Sequence, residues 1–143
     1  MGSSGSISGQ CLCGAVKFSA VVAKREVDVC HCNMCLRWSA GPYIGLPHDG
    51  DVTFSGSDNI GVYKSSEWAE RGFCKACGSS LFYHLLGTDH YSFSAGALDK
   101  QDGLTLTAQI FIDEKPAYYD FANDTPKLTG AEVMAAFEAE GKG

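Results

Sequence analysis

Seven cysteines fall into three short groups in this chain of 143 residues. The groups are C-x-C at Cys11 and Cys13, C-x-C-x-x-C at Cys30, Cys32 and Cys35, and C-x-x-C at Cys74 and Cys77. Thiolates at such spacing converge on one ion when a tight turn aims their sulfurs the same way, and Gly14 and Gly78 suit such turns. The sequence therefore predicts metal binding by cysteine.

Disulfides are the competing interpretation of this composition. An odd number of cysteines leaves one thiol over in a secreted disulfide scaffold, and the N-terminus lacks the basic-then-apolar layout of an export signal. Metal binding is therefore the better interpretation. A disulfide within the central group, formed after thiolates have lost zinc and met air, stays open as an alternative.

Ligand counting divides the cysteines into two sites. A closed structural zinc site takes four protein ligands, and the two outer groups supply four. We call these the quartet: Cys11, Cys13, Cys74 and Cys77. The remaining group is the trio: Cys30, Cys32 and Cys35. Three protein ligands leave a fourth position where zinc can bind water or a substrate thiolate and act as a Lewis acid, so we expect two zinc ions per chain.

His31 lies between two members of the trio and could close that site as a fourth ligand. In an extended segment, however, its side chain points opposite to those of Cys30 and Cys32. The alternation therefore favours a histidine that supports the ligands from behind or packs in the core.

The rest of the sequence must supply elements that position these groups. Short alternating apolar runs separated by turn residues predict strands at residues 14–22, 26–30, 42–46, 51–54, 61–65, 80–84, 90–96, 104–112 and 117–121. Many short strands at this spacing predict a mainly β domain of the sandwich or barrel type.

A short helix is predicted at the C-terminal end. Thr129 and Glu132 form a capping-box pattern, Met134 and Phe137 follow at helical spacing as expected core contacts, and Gly141 closes the segment. No internal repeat or long linker is present, so we expect one domain over residues 9–143. Residues 1–8, which begin MGSSGS, are interpreted as a flexible tail or a cloning scar.

Charge and hydropathy exclude several classes of function. The net charge is −6, and the 11 basic residues are scattered singly, which disfavours a nucleic-acid partner. No apolar run approaches the roughly 20 residues of a membrane-spanning helix. With no export signal either, we expect a cytoplasmic protein.

Three stretches together resemble the glutathione-dependent formaldehyde-activating enzyme family, which also includes centromere protein V-like proteins. They are GQCLCGAV (9–16), VCHCNMCLRWSAG (29–41) and RGFCKACGSSL (71–81). The resemblance extends to AQIFIDEKPAYYDF (108–121) and so covers most of the chain. It implies folded-over, twisted antiparallel sheets with zinc knuckles, a structural zinc at the quartet and a catalytic zinc at the trio.

The resemblance also implies an activity, the reversible condensation of glutathione with formaldehyde to S-hydroxymethylglutathione. The leading hypothesis is therefore a zinc-dependent carbon–sulfur lyase that acts on a small thiol–aldehyde adduct, with glutathione as a candidate thiol. The alternative is a non-catalytic binding or scaffolding module stabilised by zinc, in which the trio is closed by His31 or by a second chain.

Arg37 follows the trio and is a candidate contact for a substrate carboxylate, or else a surface arginine. Arg71 precedes the last cysteine pair, where a structural role is favoured over a substrate role. His48 lies in a Pro/Gly turn and is expected to be solvated, whereas His84 and His90 are ordinary histidines or proton shuttles. Four other aromatic residues are expected in the core or a pocket wall: Trp38, Tyr43, Trp68 and Tyr83.

Overall fold

The computed structural model describes residues 5–139, and the fold over this range is mainly β. The strands are β1 (Gly5–Gln10), β2 (Lys17–Val22), β3 (Glu26–Cys30), β4 (Tyr43–Asp49), β5 (Thr53–Ser55), β6 (Ile60–Lys64), β7 (Ala69–Cys74), β8 (Ser80–Leu85), β9 (His90–Ser94), β10 (Thr105–Ile110) and β11 (Lys127–Leu128). The helices are α1 (Asn33–Ser39) and α2 (Gly130–Ala139), with short 3-10 turns at Ser57–Asn59, Ala95–Ala97 and Ile112–Glu114.

The chain divides into two compact units, each built from two segments. Unit 1 combines the residues up to Val27 with residues 45–105. Unit 2 combines residues 28–44 with the residues from Leu106 onward. The unit boundaries fall inside β3, β4 and β10.

Unit 1 is an antiparallel β structure. β2 lies between β1 and β5, and in register Ile7 faces Ala20 while Phe18 faces Phe54. A second set of strands runs in the order β4, β9, β8, β7 and β6. Alternate residues of β2 are buried, which is the pattern of a strand with one face on a core. The buried ring of Phe18 stacks on that of Phe93 with 4.8 Å between centroids, so β2 and β9 share this core.

Unit 2 contains the C-terminal end of β3, helix α1 and the C-terminal part of the chain. Its strands follow the order β11, β10 and β3, and β10 pairs with β11 in parallel. Helix α1 begins directly after β3, since only His31 and Cys32 separate the two elements. The core of this unit includes the fully buried Val29 and Gln109.

The predicted C-terminal helix is confirmed together with its capping box. The Thr129 N–H donates to Glu132 Oε1 (2.8 Å), and the Glu132 N–H donates to Thr129 Oγ1 (3.2 Å). The expected core contact at Met134 is wrong, because 44% of this residue is exposed. Gly141, the expected end of the helix, lies outside the described residues.

Three other expectations differ from the structure. Residues 117–121 form a loop rather than a strand. Residues 5–8 belong to β1, so the boundary expected for a flexible tail falls inside a paired strand. Among the strands and α-helices of the described residues, four have no counterpart in the sequence prediction: β1, β7, β11 and α1. Within residues 5–139, no helix combines the length and the hydropathy that a membrane crossing requires.

Candidate functional site

The quartet is built on two tight turns, both in unit 1. In the first, the Gly14 N–H donates to the Cys11 carbonyl oxygen (3.1 Å), and Gly14 has φ +80°. In the second, the Gly78 N–H donates to the Cys74 carbonyl oxygen (2.7 Å), and Gly78 has φ +81°. A positive φ costs glycine little, so these two positions let each turn close tightly. The turns expected at Gly14 and Gly78 are therefore present.

The quartet sulfurs converge as the ligand count predicts. All four lie within 4.8 Å of one another, with 3.7 Å from Cys11 Sγ to Cys13 Sγ and 3.9 Å from Cys13 Sγ to Cys74 Sγ. A disulfide would need about 2.05 Å. Four sulfurs placed tetrahedrally at about 2.3 Å from a zinc ion are roughly 3.8 Å apart. The spacing therefore fits a metal ion and not a disulfide.

Hydrogen bonds at two members of the quartet, Cys11 and Cys77, favour the thiolate. The Val16 N–H donates to Cys11 Sγ (3.3 Å), and Ser79 Oγ lies 3.1 Å from Cys77 Sγ. The hydrogen bond with the Ser79 side chain, followed by backbone hydrogen bonds, lowers the pKa of Cys77 to about 5. Because the thiolate is the form that binds metals, this environment fits a metal site.

The trio lies in unit 2, where strand β3 passes into helix α1. Cys30 ends the strand, Cys32 is the N-cap of the helix and Cys35 lies in its first turn. The Cys35 N–H donates to Cys32 Sγ (3.4 Å), so a cysteine sulfur takes the place that serine or aspartate oxygens usually have at an N-cap. The short helix thus brings the third sulfur back to the first two.

The three sulfurs of the trio could serve as the ligands of a soft metal site in which a fourth coordination position stays open. Its three sulfurs lie within 4.8 Å of one another, and all three residues are buried. The group contains no fourth histidine, cysteine or acidic side chain from the described part of the chain. Hydrogen bonding to Cys32 and Cys35, and then burial, raise the pKa of Cys30, because thiolates this close repel one another. A bound cation would remove that repulsion, so these residues fit a metal ion.

His31 stays outside the cluster of sulfurs, as its position in the sequence predicts. It is 0% exposed, and both of its ring nitrogens have partners. Nε2 lies 2.9 Å from Gln109 Oε1, and Nδ1 lies 2.7 Å from the Tyr119 hydroxyl. Burial lowers the pKa of His31, which favours the neutral ring.

An open groove of about 550 Å³ lies in unit 2 beyond the end of α1. It is lined by residues 40–42 and residues 118–123. Tyr119, the hydrogen-bond partner of His31, is one of the lining residues. Tyr119 therefore contacts both the groove and His31.

The sequence missed Gln109 and Tyr119 as partners of the trio segment. Gln109 is a buried polar residue in the apolar pattern of β10, which is the feature that could have singled it out. Tyr119 belongs to an aromatic run that the sequence assigns to a strand. Because their partner is far away in sequence, only the fold reveals the pairing.

Arg37 lies on the exposed side of α1, two residues after Cys35. Trp38 and Tyr43 contact each other in the same unit, with ring centroids 5.8 Å apart. Arg37 is therefore available to a ligand, while the two aromatic residues pack together.

The other residues singled out by the sequence lie in unit 1. Arg71 is buried and donates from Nε to Ser65 Oγ (3.1 Å), and its guanidinium lies over the Tyr83 ring. His48 is only 7% exposed, so the expectation of a solvated side chain is wrong. Its place in β4 lets Nε2 reach the Asp51 carbonyl oxygen (3.0 Å) across the following turn.

The two remaining histidines have acidic partners in unit 1. His84 Nδ1 lies 2.9 Å from Glu70 Oε2, and the ring stacks on Tyr91. His90 Nδ1 lies 2.9 Å from Asp49 Oδ1. The two histidine contacts tie neighbouring strands together and match the interpretation of ordinary histidines.

Trp68, which was expected in the core or a pocket wall, also lies in unit 1 and is half exposed.

Comparison with known proteins identifies the family. The family model for the glutathione-dependent formaldehyde-activating enzyme matches residues 6–114. This chain belongs to that family. The match contains all seven cysteines, so both the quartet and the trio lie within the part of the chain that is shared with the glutathione-dependent formaldehyde-activating enzymes.

Two other proteins are similar to this family member. A protein of Schizosaccharomyces pombe named as an uncharacterized lyase is 37% identical over 127 residues, which cover 88% of this chain and 93% of the relative. A crystal structure of a Rhodobacter sphaeroides protein matches with a TM-score of 0.56 at 22% identity, over 64% of this chain and 87% of that one. The second likeness is one of fold.

Proposed function

We propose that this chain is a zinc-dependent carbon–sulfur lyase that acts on a small thiol–aldehyde adduct. The observation that carries the proposal is the trio, three buried sulfurs within 4.8 Å of one another without a fourth ligating side chain from the described residues. Catalytic zinc sites keep one position for water or substrate, whereas structural sites are closed. Membership of an enzyme family and the lyase name of the yeast relative support the same reaction class.

The proposed reaction is the cleavage or formation of an S-hydroxymethyl thioether. In the cleavage direction the carbon–sulfur bond breaks, the hydroxyl loses its proton as the aldehyde carbonyl forms, and the sulfur leaves as a thiol after taking up a proton. No oxidant or reductant is consumed. A zinc ion at the trio would supply two things, a lower pKa for a substrate thiol and polarisation of the aldehyde oxygen.

The ligand set of the trio suits this chemistry. Three cysteine thiolates around a divalent zinc give a formal charge of −1, and such a site is softer and less acidifying than one made of three histidines. A thiol or an aldehyde is therefore a more natural partner than strongly activated water. Following the family name, we propose glutathione and formaldehyde as the substrates, which makes the enzyme an S-hydroxymethylglutathione synthase.

Two further roles belong to the proposal. Arg37, exposed on α1 close to Cys35, would bind a carboxylate of the thiol substrate through its guanidinium fork. The quartet would hold a structural zinc, since its four sulfurs complete a tetrahedral set by themselves. Two zinc ions per chain follow from these assignments.

The test measures turnover in the wild-type chain and in a variant that lacks only the trio metal. The zinc-loaded protein is mixed with glutathione and ¹³C-labelled formaldehyde, and exchange NMR gives the rate at which the S-hydroxymethyl adduct and free formaldehyde interconvert. Cys35→Ser should return the rate to its uncatalysed value and remove one zinc per chain. The control is Met34→Ser, because Met34 is partly exposed on the same helix and should leave the rate unchanged.

Turnover by Cys35→Ser protein whose trio has lost its zinc would contradict the proposed mechanism. If the zinc-loaded wild-type chain does not accelerate exchange for any small thiol adduct, the result would favour the non-catalytic zinc module instead.

A further inference from the structure

His31 is the central member of a hydrogen-bond chain in unit 2. The chain begins at the Tyr119 hydroxyl, passes through both nitrogens of His31 to Gln109, and continues from Gln109 Nε2 to Thr125 Oγ1 (3.3 Å). Thr125 Oγ1 donates in turn to the Pro126 carbonyl oxygen (3.0 Å). A buried side chain with a partner at each polar atom is held in one orientation.

The partners determine where the ring proton lies. Gln109 uses its amide nitrogen as a donor toward Thr125, so its oxygen faces His31 and can only accept. Nε2 of His31 must then carry the hydrogen, and Nδ1 accepts from the Tyr119 hydroxyl. Every donor meets an acceptor along this chain while His31 is neutral.

His31, whose ring is held by these hydrogen bonds, lies in the chain between two cysteines of the trio. The His31 N–H donates to the Ile110 carbonyl oxygen (3.1 Å), which fixes the backbone on the same residue. Cys30 precedes His31, and Cys32 follows it and begins α1 with Cys35 in its first turn. Any rotation of His31 would therefore change the distance between the first sulfur and the other two.

We propose that His31 is a positioning residue, locked by Tyr119 and Gln109, that holds the trio sulfurs in the arrangement that receives a metal. This inference rests on the metal proposed for the trio. Groups behind the ligands of a metal site commonly change metal affinity by about 10- to 100-fold when they are removed. His31 acts here through the backbone, with its ring turned away from the sulfurs.

The experiment removes one hydroxyl group and follows metal release. Tyr119→Phe keeps the ring and deletes only the donor to His31, whereas His31→Ala risks general unfolding because it empties a buried site. Zinc release into a chromophoric chelator is followed on the zinc-loaded chain. The phase that belongs to the trio is the one that is absent in Cys35→Ser.

We expect Tyr119→Phe to speed the trio phase by about tenfold and to leave the quartet phase unchanged. His31→Asn keeps an oxygen acceptor near the position of Nδ1 and should release zinc more slowly than His31→Ala. The matched control is Tyr118→Phe, since Tyr118 lines the same groove and is largely exposed. It should release zinc at the wild-type rate.

A spectroscopic reading separates positioning from general stability. With Co²⁺ in place of zinc, Tyr119→Phe should alter the visible bands of the trio site while its melting temperature stays close to that of Tyr118→Phe. Wild-type release rates and wild-type bands in folded Tyr119→Phe would overturn the inference. A wild-type chain that binds no metal at the trio would overturn both this inference and the proposed function, whereas a trio metal without turnover would overturn only the function.

Discussion

The hydroxyl of Tyr119 lies 2.7 Å from Nδ1 of His31, although the two residues are 88 positions apart. A lysine keeps the segment around Tyr119 in place. The Lys115 ammonium contacts the Tyr119 carbonyl oxygen, lies 2.9 Å from Asp120 Oδ1 and sits 5.0 Å from the centre of the Tyr119 ring. The segment therefore forms a loop around the Lys115 ammonium group, and this loop places the Tyr119 hydroxyl next to His31.

The first prediction concerns the quartet. Cys74→Ser should remove one zinc per chain and lower the melting temperature by several degrees or more, because a completely buried ligand of a long-range site is lost. Elemental analysis and a thermal melt check it. Cys35→Ser, the matched variant in the trio, should lose the other zinc and melt close to wild type. Equal destabilisation by the two substitutions would contradict the division into a structural and a catalytic site.

The second prediction concerns a glycine next to the first cysteine turn. Gly56 has φ +76°, and a Cβ there would lie 1.8 Å from the Ala15 carbonyl oxygen, which belongs to the backbone. Gly56→Ala should therefore cost about 2 kcal/mol or more beyond the strain of a positive φ. Gly87→Ala is the control, since Gly87 has φ +79° with nothing within 4 Å of a new Cβ. Urea unfolding of both variants measures the difference, and equal losses would refute the clash.

The third prediction concerns the charge of Arg37. Arg37→Ala should raise KM for an anionic thiol such as glutathione by about tenfold, because a charge-assisted pair with a carboxylate contributes roughly 1 to 2 kcal/mol. Arg37→Lys keeps the charge and should lose less. An uncharged thiol such as 2-mercaptoethanol serves as the second substrate, and its KM should not change. A parallel rise for both thiols would show that Arg37 has no role in binding the anion.

The fourth prediction concerns pH. Burial raises the pKa of the Asp28 carboxyl from 3.8 to about 6. Between these values the folded chain binds more protons than the unfolded chain, so this carboxyl makes folding less favourable as pH rises through the interval, and its full cost is present above pH 6. Asp28→Asn removes the charge. It should stabilise the chain by on the order of 1 to 3 kcal/mol at pH 7, and by roughly half as much at pH 5.

Chemical unfolding of both proteins at the two pH values, in the same metal state, checks the Asp28 prediction. A stabilisation that does not depend on pH would mean that folding leaves the pKa of this carboxyl unchanged.

The sequence predicted those features that depend on residues a few positions apart. The cysteine groups and their two glycines predicted both clusters, because a tight turn between nearby thiols is a local matter. The capping box at Thr129 and Glu132 predicted the start of α2 for the same reason. Family membership then gave an expected role to each cluster.

Features that depend on distant partners could not be read in this way. Helix α1 has seven residues and a cysteine as its N-cap, so it lacks both a periodic pattern and a usual capping residue. The aromatic run at 117–121 alternates like a strand, but Lys115 draws its backbone into a loop. His48 lies in a turn-rich stretch, yet β4 extends through it and buries the ring. In each case contacts made elsewhere override a local pattern.

The two cysteine clusters differ in how much chain separates their members. The trio spans residues 30–35, whereas the quartet joins Cys13 to Cys74 across 61 positions. Closing a loop of that length costs chain entropy, so the quartet cannot assemble until both turns have been synthesised and brought together. An ion held there would act as a cross-link that restricts the unfolded chain, while an ion in the trio would restrain only six residues. The ion proposed for the trio could thus be captured by a short local segment, whereas the ion proposed for the quartet must wait until both of its turns have formed.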